Sequence, residues 1–151
     1  MKIVLQRVSS GAVTINGKEH RQIGRGLVAL VGFGQGDGEK QAEYLAAKMV
    51  ELRIFVDENG QMNRSLLDTG GECLLISNFT LYANCKKGRR PSFIESMEPG
   101  QASALFDYFV EIVKAKGIAV QTGEFGAKML VDLQNDGPVT IILDSNEIMP
   151  K

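Results

Sequence analysis

Several features that mark common classes of protein are missing from this sequence of 151 residues. His20 is the single histidine, and Cys73 and Cys85 do not have the spacing of metal ligands, so we predict no metal site. Isolated cysteines of this kind indicate free thiols in a reducing compartment. No apolar run approaches the roughly 18 residues of a membrane span, and the N-terminus is too short and polar for a signal peptide. These absences predict a soluble, cytoplasmic protein with no membrane partner.

Net charge is nearly absent as well. Seventeen basic and eighteen acidic residues leave a formal net charge of −1, so no overall field draws the chain to nucleic acid or membrane. Any contact with a polyanion must come from a local patch. The length and the 44% hydrophobic content are those of one ordinary globular domain, which we expect to span residues 1–151.

Most of the chain has strand character. Residues 2–15 are rich in β-branched side chains with a break near Ser10-Gly11, and residues 27–33 predict a buried strand. The nearly continuous apolar run 73–83 predicts an interior strand, and Asn59-Gly60 is a hairpin signal. The remaining strand segments are 120–125, 129–134 and 139–144.

Two helices interrupt the strands. Asp37 is a suitable N-cap for the first, which we expect to continue to about Arg53. The second begins at Pro99 and ends at Gly117. Each has an apolar stripe at helical spacing, formed by Ala42, Leu45, Ala46, Met49 and Val50 in the first and by Ala102, Leu105, Phe106, Phe109, Val110 and Val113 in the second. Two helices among roughly seven or eight strands predict an α+β fold with mostly antiparallel sheets.

Two loops are candidates for phosphate binding. The segment GFGQGDG, 32–38, offers backbone amides before a helix, but no Gly-Lys-Ser/Thr follows it, which favours a plain strand-to-helix turn. The segment KKGRRPSF, 86–93, contains Lys86, Lys87, Arg89 and Arg90. A solvated charge run is the common explanation for such a segment. It is, however, the only dense basic cluster in a nearly neutral chain, which favours phosphate binding.

Polar residues also interrupt the apolar run 73–83. In an extended strand Ser77 and Phe79 face one way, and Asn78 and Thr80 face the other. Both faces line one pocket only where the strand ends or bends, and hydroxyl groups in strands are more often satisfied structurally. A Ser-His-Asp triad would need His20, which lies in a turn-like stretch, so the sequence disfavours one.

The segment NDGPVT, 135–140, raises a different question. It lies between two strand-like segments, and Asp-Gly in that position is a strong hairpin signal. Pro138 follows directly, and proline cannot donate a hydrogen bond to a strand ladder. A hairpin needs the Asp-Gly pair but gives no reason for the proline.

Together these segments resemble one known family. SNFTLYA, KKGRRPSF, TGEFGAKM and NDGPVTIILDS are similar in order and spacing to the D-aminoacyl-tRNA deacylases of the D-tyrosyl-tRNA deacylase type. The opening QRV and the segment LRIFVDENGQMNRSLLDTGG match as well. The resemblance covers about residues 1–145, and the tail 146–151 lies outside it. It departs at Asn78, where the family usually has glutamine, a side chain one methylene longer.

The resemblance implies a homodimer with a barrel-like core and two main helices. It implies hydrolysis of the ester bond of D-aminoacyl-tRNA, a chiral proofreading step with tRNA as the partner and no cofactor. In the family the Gly-Pro pair, here Gly137-Pro138, has a cis peptide bond and reaches into the partner subunit's active site, while Arg7 tethers this loop. A filter of main-chain atoms rejects L side chains by steric clash, so we expect glycyl-tRNA to be hydrolysed too.

The resemblance also implies the roles of the remaining site residues. Phe79 and Thr80 bind the substrate through backbone amides next to Ser77 and Asn78, and Phe125 and Met129 supply apolar walls. Thr80 is one candidate nucleophile, and the alternative is that the ribose 2′-hydroxyl attacks or activates water. Two other functions stay open. They are hydrolysis of small D-amino-acid esters or amides, and non-catalytic nucleic-acid binding by a dimer of the same fold.

Overall fold

A long antiparallel pair of strands, β1 (Lys2–Ile15) and β8 (Met129–Asp144), joins the two ends of the chain in the computed structural model, which describes residues 1–151. Strand β1 alternates buried and more exposed side chains because its apolar residues recur at every second position. Its first half also pairs with β3 (Gly26–Gly32), and its second half pairs with β2 (Glu19–Ile23). The predicted break in this segment is therefore a change of neighbour within one continuous strand.

Six strands form a nearly closed, barrel-like sheet in the order β2-β1-β3-β6-β7, with β8 paired to β1. Strand β6 (Glu72–Ser77) runs parallel to β3 and to β7 (Ala119–Thr122), whereas every pairing of β1 is antiparallel. A separate hairpin joins β4 (Phe55–Val56) to β5 (Met62–Arg64) at the predicted Asn59-Gly60 turn. The predicted α+β fold with mostly antiparallel, barrel-like sheets is confirmed.

Both predicted long helices are present, as α1 (Glu39–Glu51) and α3 (Pro99–Ala115), and their predicted apolar stripes are buried. The prediction of Asp37 as the N-cap is wrong, because Gly38 occupies that position. The Asp37 carboxylate instead accepts a hydrogen bond from the Gly34 amide at 2.6 Å, within the glycine-rich turn. Two short helices, α2 (Leu66–Thr69) and α4 (Ser145–Ile148), complete the fold. None of the helices combines the length and apolar character needed to span a bilayer.

The predicted strand 73–83 ends early, at Ser77, and a single 3₁₀ turn (Phe79–Tyr82) follows. The turn begins here because the Asn78 side chain caps it, accepting a hydrogen bond from the Thr80 amide at 3.1 Å. Gly32 permits the close approach, since a Cβ atom at that position would lie 2.9 Å from the Asn78 carbonyl oxygen. The polar residues therefore end the strand, and do not continue it.

The core lies on both faces of the sheet. The larger cluster packs α1 and α3 against apolar side chains of β1, β3 and β6, and a smaller cluster fills the opposite face. Cys73 belongs to the larger cluster, and burial raises the pKa of its thiol to about 12, so the thiol stays protonated at neutral pH. Cys85 is exposed. The packed sheet gives the end of β6 a rigid support.

Candidate active site

Two clefts meet at the end of β6. One has a volume of about 390 Å³ and the other about 480 Å³. Five residues line both clefts and so form the wall between them: Ser77, Asn78, Phe79, Phe125 and Gly126. Four of these five were singled out from the sequence, and the fold brings them together although Phe125 is distant in the chain.

The first cleft extends towards the N-terminus of α3, along Phe33, Met97 and Pro99. Its outer wall includes Phe93, whose ring packs edge-on against the Phe79 ring with the two centroids 5.0 Å apart. Sequence reasoning missed Phe93 as a site residue, and the signal available was an aromatic residue directly after a basic segment.

Eight of the eleven residues that line the second cleft are hydrophobic, and the predicted wall residue Met129 is one of them. The side chains of Leu30, Ile76, Val131 and Leu133 accompany it. Gly123 makes room for Met129, since a Cβ atom there would collide with the methionine sulfur. Phe125, in the segment that links β7 to β8, and Met129, the first residue of β8, therefore border this cleft.

The backbone amides of the 3₁₀ turn differ in their partners. The Thr80 amide and the Thr80 hydroxyl both donate to Asn78 Oδ1, at 3.1 Å and 2.5 Å. The Phe79 amide, the first of the turn, donates to no acceptor within the chain. One donor at the shared wall is therefore free, and the next is held by the Asn78 side chain.

The turn is anchored at both ends. The Tyr82 hydroxyl donates to the Asp37 carboxylate at 3.3 Å, and the Ser96 hydroxyl donates to the Phe79 carbonyl oxygen at 3.2 Å. Burial, and next the negative charge of Asp37, raise the pKa of Tyr82 well above its usual range, so the phenol remains a donor. These bonds tie the turn to Asp37 and Ser96.

Residues 136–139 leave the β1–β8 ladder without reversing the chain. Gln6 pairs with Thr140 and Val8 pairs with Asn135, so four residues of β8 lie opposite Arg7 alone. We call this four-residue segment the excursion. The Asp-Gly hairpin signal is therefore wrong here, because β8 resumes its direction beyond the excursion. The Gly137-Pro138 peptide bond is cis, and both residues are exposed.

Arg7 holds the excursion from the side. Its guanidinium, which is nearly buried, donates to the Asp136 carbonyl oxygen at 3.1 Å and to the Ile54 carbonyl oxygen at 2.7 Å. Gly137 has φ 129°, and a Cβ atom there would lie 2.8 Å from Val139 Cγ2, so only glycine fits. Gly137 and Pro138 line neither cleft of their own chain.

The basic loop is joined to the wall of the first cleft through Phe93. Lys86, Lys87, Arg89 and Arg90 are exposed, and none of them forms an ion pair within the chain. Asn84 and Ser92 exchange two backbone hydrogen bonds at the base of the loop, at 2.8 Å and 2.9 Å. The loop therefore leads directly into Phe93 at the cleft wall.

No catalytic triad is assembled around the clefts. His20 lies on β2, with Nδ1 3.3 Å from the Thr14 hydroxyl, and lines neither cleft. No group of three or more histidine, cysteine, aspartate or glutamate side chains is arranged to hold a metal ion. The chemistry available at the shared wall is therefore that of backbone amides, hydroxyl groups and the Asn78 amide.

Comparison with known proteins gives consistent matches along the whole chain. A family model described as D-Tyr-tRNA(Tyr) deacylase matches residues 4–144. The D-aminoacyl-tRNA deacylase of Thermomicrobium roseum is 55% identical over 148 residues, which covers 98% of this chain and 96% of that protein. The D-aminoacyl-tRNA deacylase of Bacillus velezensis is 52% identical over 147 residues, which covers 97% of this chain and 100% of that protein.

Two solved structures share the fold. The c-Myc DNA Unwinding Element Binding Protein has a TM-score of 0.89 and 39% identity, covering 96% of this chain and 99% of that chain. A probable eukaryotic D-amino acid tRNA deacylase has a TM-score of 0.82, covering 94% of this chain and 97% of that chain. Its sequence identity is 18%, so this match shows a shared fold alone. The family match and the identities above 50% lead to one conclusion: the chain belongs to the D-Tyr-tRNA(Tyr) deacylase family.

Proposed function

We propose that this protein hydrolyses D-aminoacyl-tRNA to free tRNA and the D-amino acid, as a proofreading step in translation. Water adds to the ester carbonyl carbon, the bond from that carbon to the ribose oxygen breaks, and the ribose oxygen takes a proton. The whole chain acts as one catalytic domain in the cytoplasm and needs no cofactor. The observation that carries the proposal is the wall shared by two clefts, Ser77–Phe79, in a chain whose relatives are named D-aminoacyl-tRNA deacylase.

Backbone amides stabilise the developing oxyanion in this proposal. The Phe79 amide is free to donate to the ester oxygen because it has no acceptor in the chain. Preorganised donors of this kind contribute roughly 10²–10³ in rate when they meet a developing charge. The Thr80 amide is the second donor, and it reaches the substrate only after Asn78 Oδ1 releases it.

In the proposed route the ribose 2′-hydroxyl activates the water that adds to the ester carbonyl carbon, and Thr80 is not the nucleophile. A hydroxyl group is a weak nucleophile at its ordinary pKa and needs an adjacent base. The Thr80 hydroxyl donates to an amide oxygen of Asn78, which is not a base, and His20 lies at a different part of the sheet. Substrate assistance therefore fits the arrangement at the wall better than a covalent intermediate does.

The excursion acts in trans within a homodimer. Gly137 and Pro138 are exposed and line neither cleft of their own chain, which suits a segment that enters the site of a second copy. Their main-chain atoms then face the substrate α-carbon. An L side chain projects into them, whereas a D side chain points away.

Two rival functions are tested by substrate choice. The neighbour titled c-Myc DNA Unwinding Element Binding Protein is the specific reason to test non-catalytic nucleic-acid binding. Absence of deacylation with stoichiometric protein would favour that function. Faster hydrolysis of D-tyrosine methyl ester than of D-tyrosyl-tRNA would favour a small-ester hydrolase.

The decisive experiment for the proposed function is a time course on D-alanyl-, L-alanyl- and glycyl-tRNA that share one tRNA body. We expect the D-alanyl and glycyl esters to be hydrolysed and the L-alanyl ester to remain. A steric filter cannot recognise a missing side chain, since even one methylene is worth only about 1–3 kcal/mol in a pocket. If glycyl-tRNA resists hydrolysis as L-alanyl-tRNA does, the filter is not steric.

Replacement of the Thr80 hydroxyl tests the nucleophile. We expect Thr80→Ala to keep kcat within about tenfold of wild type, or roughly 1.4 kcal/mol of barrier, because the hydroxyl only bonds to Asn78. Thr80→Ser is the matched control that keeps the hydroxyl. A loss near a thousandfold in Thr80→Ala, with Thr80→Ser active and tRNA binding intact, would establish the covalent route.

Mixed dimers test the contribution in trans. Phe79→Pro removes the free amide at a first-turn position that tolerates proline, and Gly137→Ala forces a Cβ atom against Val139. Each variant alone should be inactive. Equal mixing should restore about a quarter of wild-type activity, because half of the dimers then carry one complete site. No restoration after exchange of subunits, shown by dimer mass, would place the motif in cis.

The basic loop is proposed to contact tRNA phosphates, which salt dependence can test. We expect Lys86→Gln with Lys87→Gln to weaken tRNA binding and to flatten the plot of log K against log salt by about 1.4–1.8. Arg89→Gln with Arg90→Gln should act in the same way. Lys18→Gln with Lys40→Gln is the control for two exposed charges elsewhere. If both loop variants keep the wild-type slope of log K against log salt, as the control variant should, the loop is a solvated surface that does not contact phosphates.

A further inference from the structure

Asn135 is the last residue of β8 in register with β1 before the excursion begins. Its side-chain amide donates two hydrogen bonds, to the Arg7 carbonyl oxygen and to the Val139 carbonyl oxygen, both at 3.0 Å. Its Oδ1 accepts a hydrogen bond from the Thr140 hydroxyl at 3.3 Å. Both donors of one amide are therefore used at the base of the excursion.

These bonds replace part of the ladder that the excursion interrupts. The four residues 136–139 lie opposite Arg7 alone and cannot all pair with β1. The carbonyl groups at the base of the excursion therefore need other donors. Asn135 satisfies one carbonyl group on β1 and the carbonyl group of Val139, where the chain returns to the ladder. It thereby sets the distance between the two ends of the excursion, from which Gly137 and Pro138 project.

Arg7 and Asn135 hold different parts of the excursion. Arg7 contacts its first residue, Asp136, through the carbonyl oxygen and lies 3.4 Å from the Asp136 carboxylate. Asn135 ties the other end, Val139, back to the base. The orientation of the Gly137-Pro138 carbonyl groups is determined only when both ends of the excursion are held.

We propose that Asn135 is a positioning residue for the chiral filter, and that it decides how strongly L-aminoacyl esters are excluded. This inference rests on the proposed function. A filter that works by clash loses its effect when its atoms shift outward, and misplacement of about 1 Å can change rates by about 10²-fold. Loosening the base of the excursion therefore admits L substrates more than it slows D substrates.

The test compares kcat/KM for D-alanyl- and L-alanyl-tRNA in wild type and in Asn135→Asp. The substitution is nearly isosteric and places an acceptor oxygen against the Arg7 and Val139 carbonyl oxygens, so both hydrogen bonds are lost. We expect the D-over-L ratio to fall by about tenfold or more, mainly through faster hydrolysis of the L ester. An unchanged ratio, or equal losses on both esters, would overturn the proposal.

Gln134→Glu is the matched control. It makes the same change of charge at the preceding residue and keeps the oxygen that accepts from the Ser9 hydroxyl at 2.8 Å. Its D-over-L ratio should equal that of wild type, and a ratio that falls as far as in Asn135→Asp would overturn the proposal. If Asn135→Asp does not fold, the neutral Asn135→Ser decides by the same ratio. If the wild-type protein leaves D-alanyl-tRNA intact, the proposed function is wrong. If the wild type is active but Asn135→Asp keeps the wild-type ratio, only the proposed role of Asn135 is wrong.

Discussion

The pairing of β1 with β8 is the interaction on which the rest of the structure depends. It joins the two ends of the chain in one antiparallel ladder, and β1 then carries β2 and β3 on its other edge. The first half of β1 contributes Ile3 and Leu5 to the larger apolar cluster, and the second half contributes Val13 and Ile15 to the smaller one. The larger interruption of the ladder, at residues 136–139, exposes Gly137-Pro138 while the ladder continues on either side.

The end of β6 is a second constraint of the same kind. The strand lies between two parallel neighbours, so its position is determined along its length, and it stops where Asn78 turns its side chain onto Thr80. That cap leaves the Phe79 amide without a partner and holds the Thr80 amide. The side-chain oxygen of Asn78 lies within reach of both donors of Thr80.

Two of the mistakes made from sequence arise where another interaction overrides a local rule. Asp37 is a good N-cap by local rules, but its carboxylate is used by the Gly34 amide and by Tyr82. Asp136-Gly137 is a good hairpin turn by local rules, but the residues on either side of the excursion are held by pairing with β1. Asn135 carried no local signal that set it apart from other turn residues, and Phe93 was marked only by its place after the basic residues.

The sequence by itself determined the helices and their buried faces, most of the strands and the family, because periodicity and long motifs are local properties. It also singled out Ser77, Asn78, Phe79 and Phe125 before any of them could be placed. Only the tertiary structure decided that these residues divide two clefts, that Thr80 bonds to Asn78, and that Gly137-Pro138 lies outside its own chain's clefts. Such relations depend on the register between distant strands, which a shift of one residue would change and which no local pattern specifies.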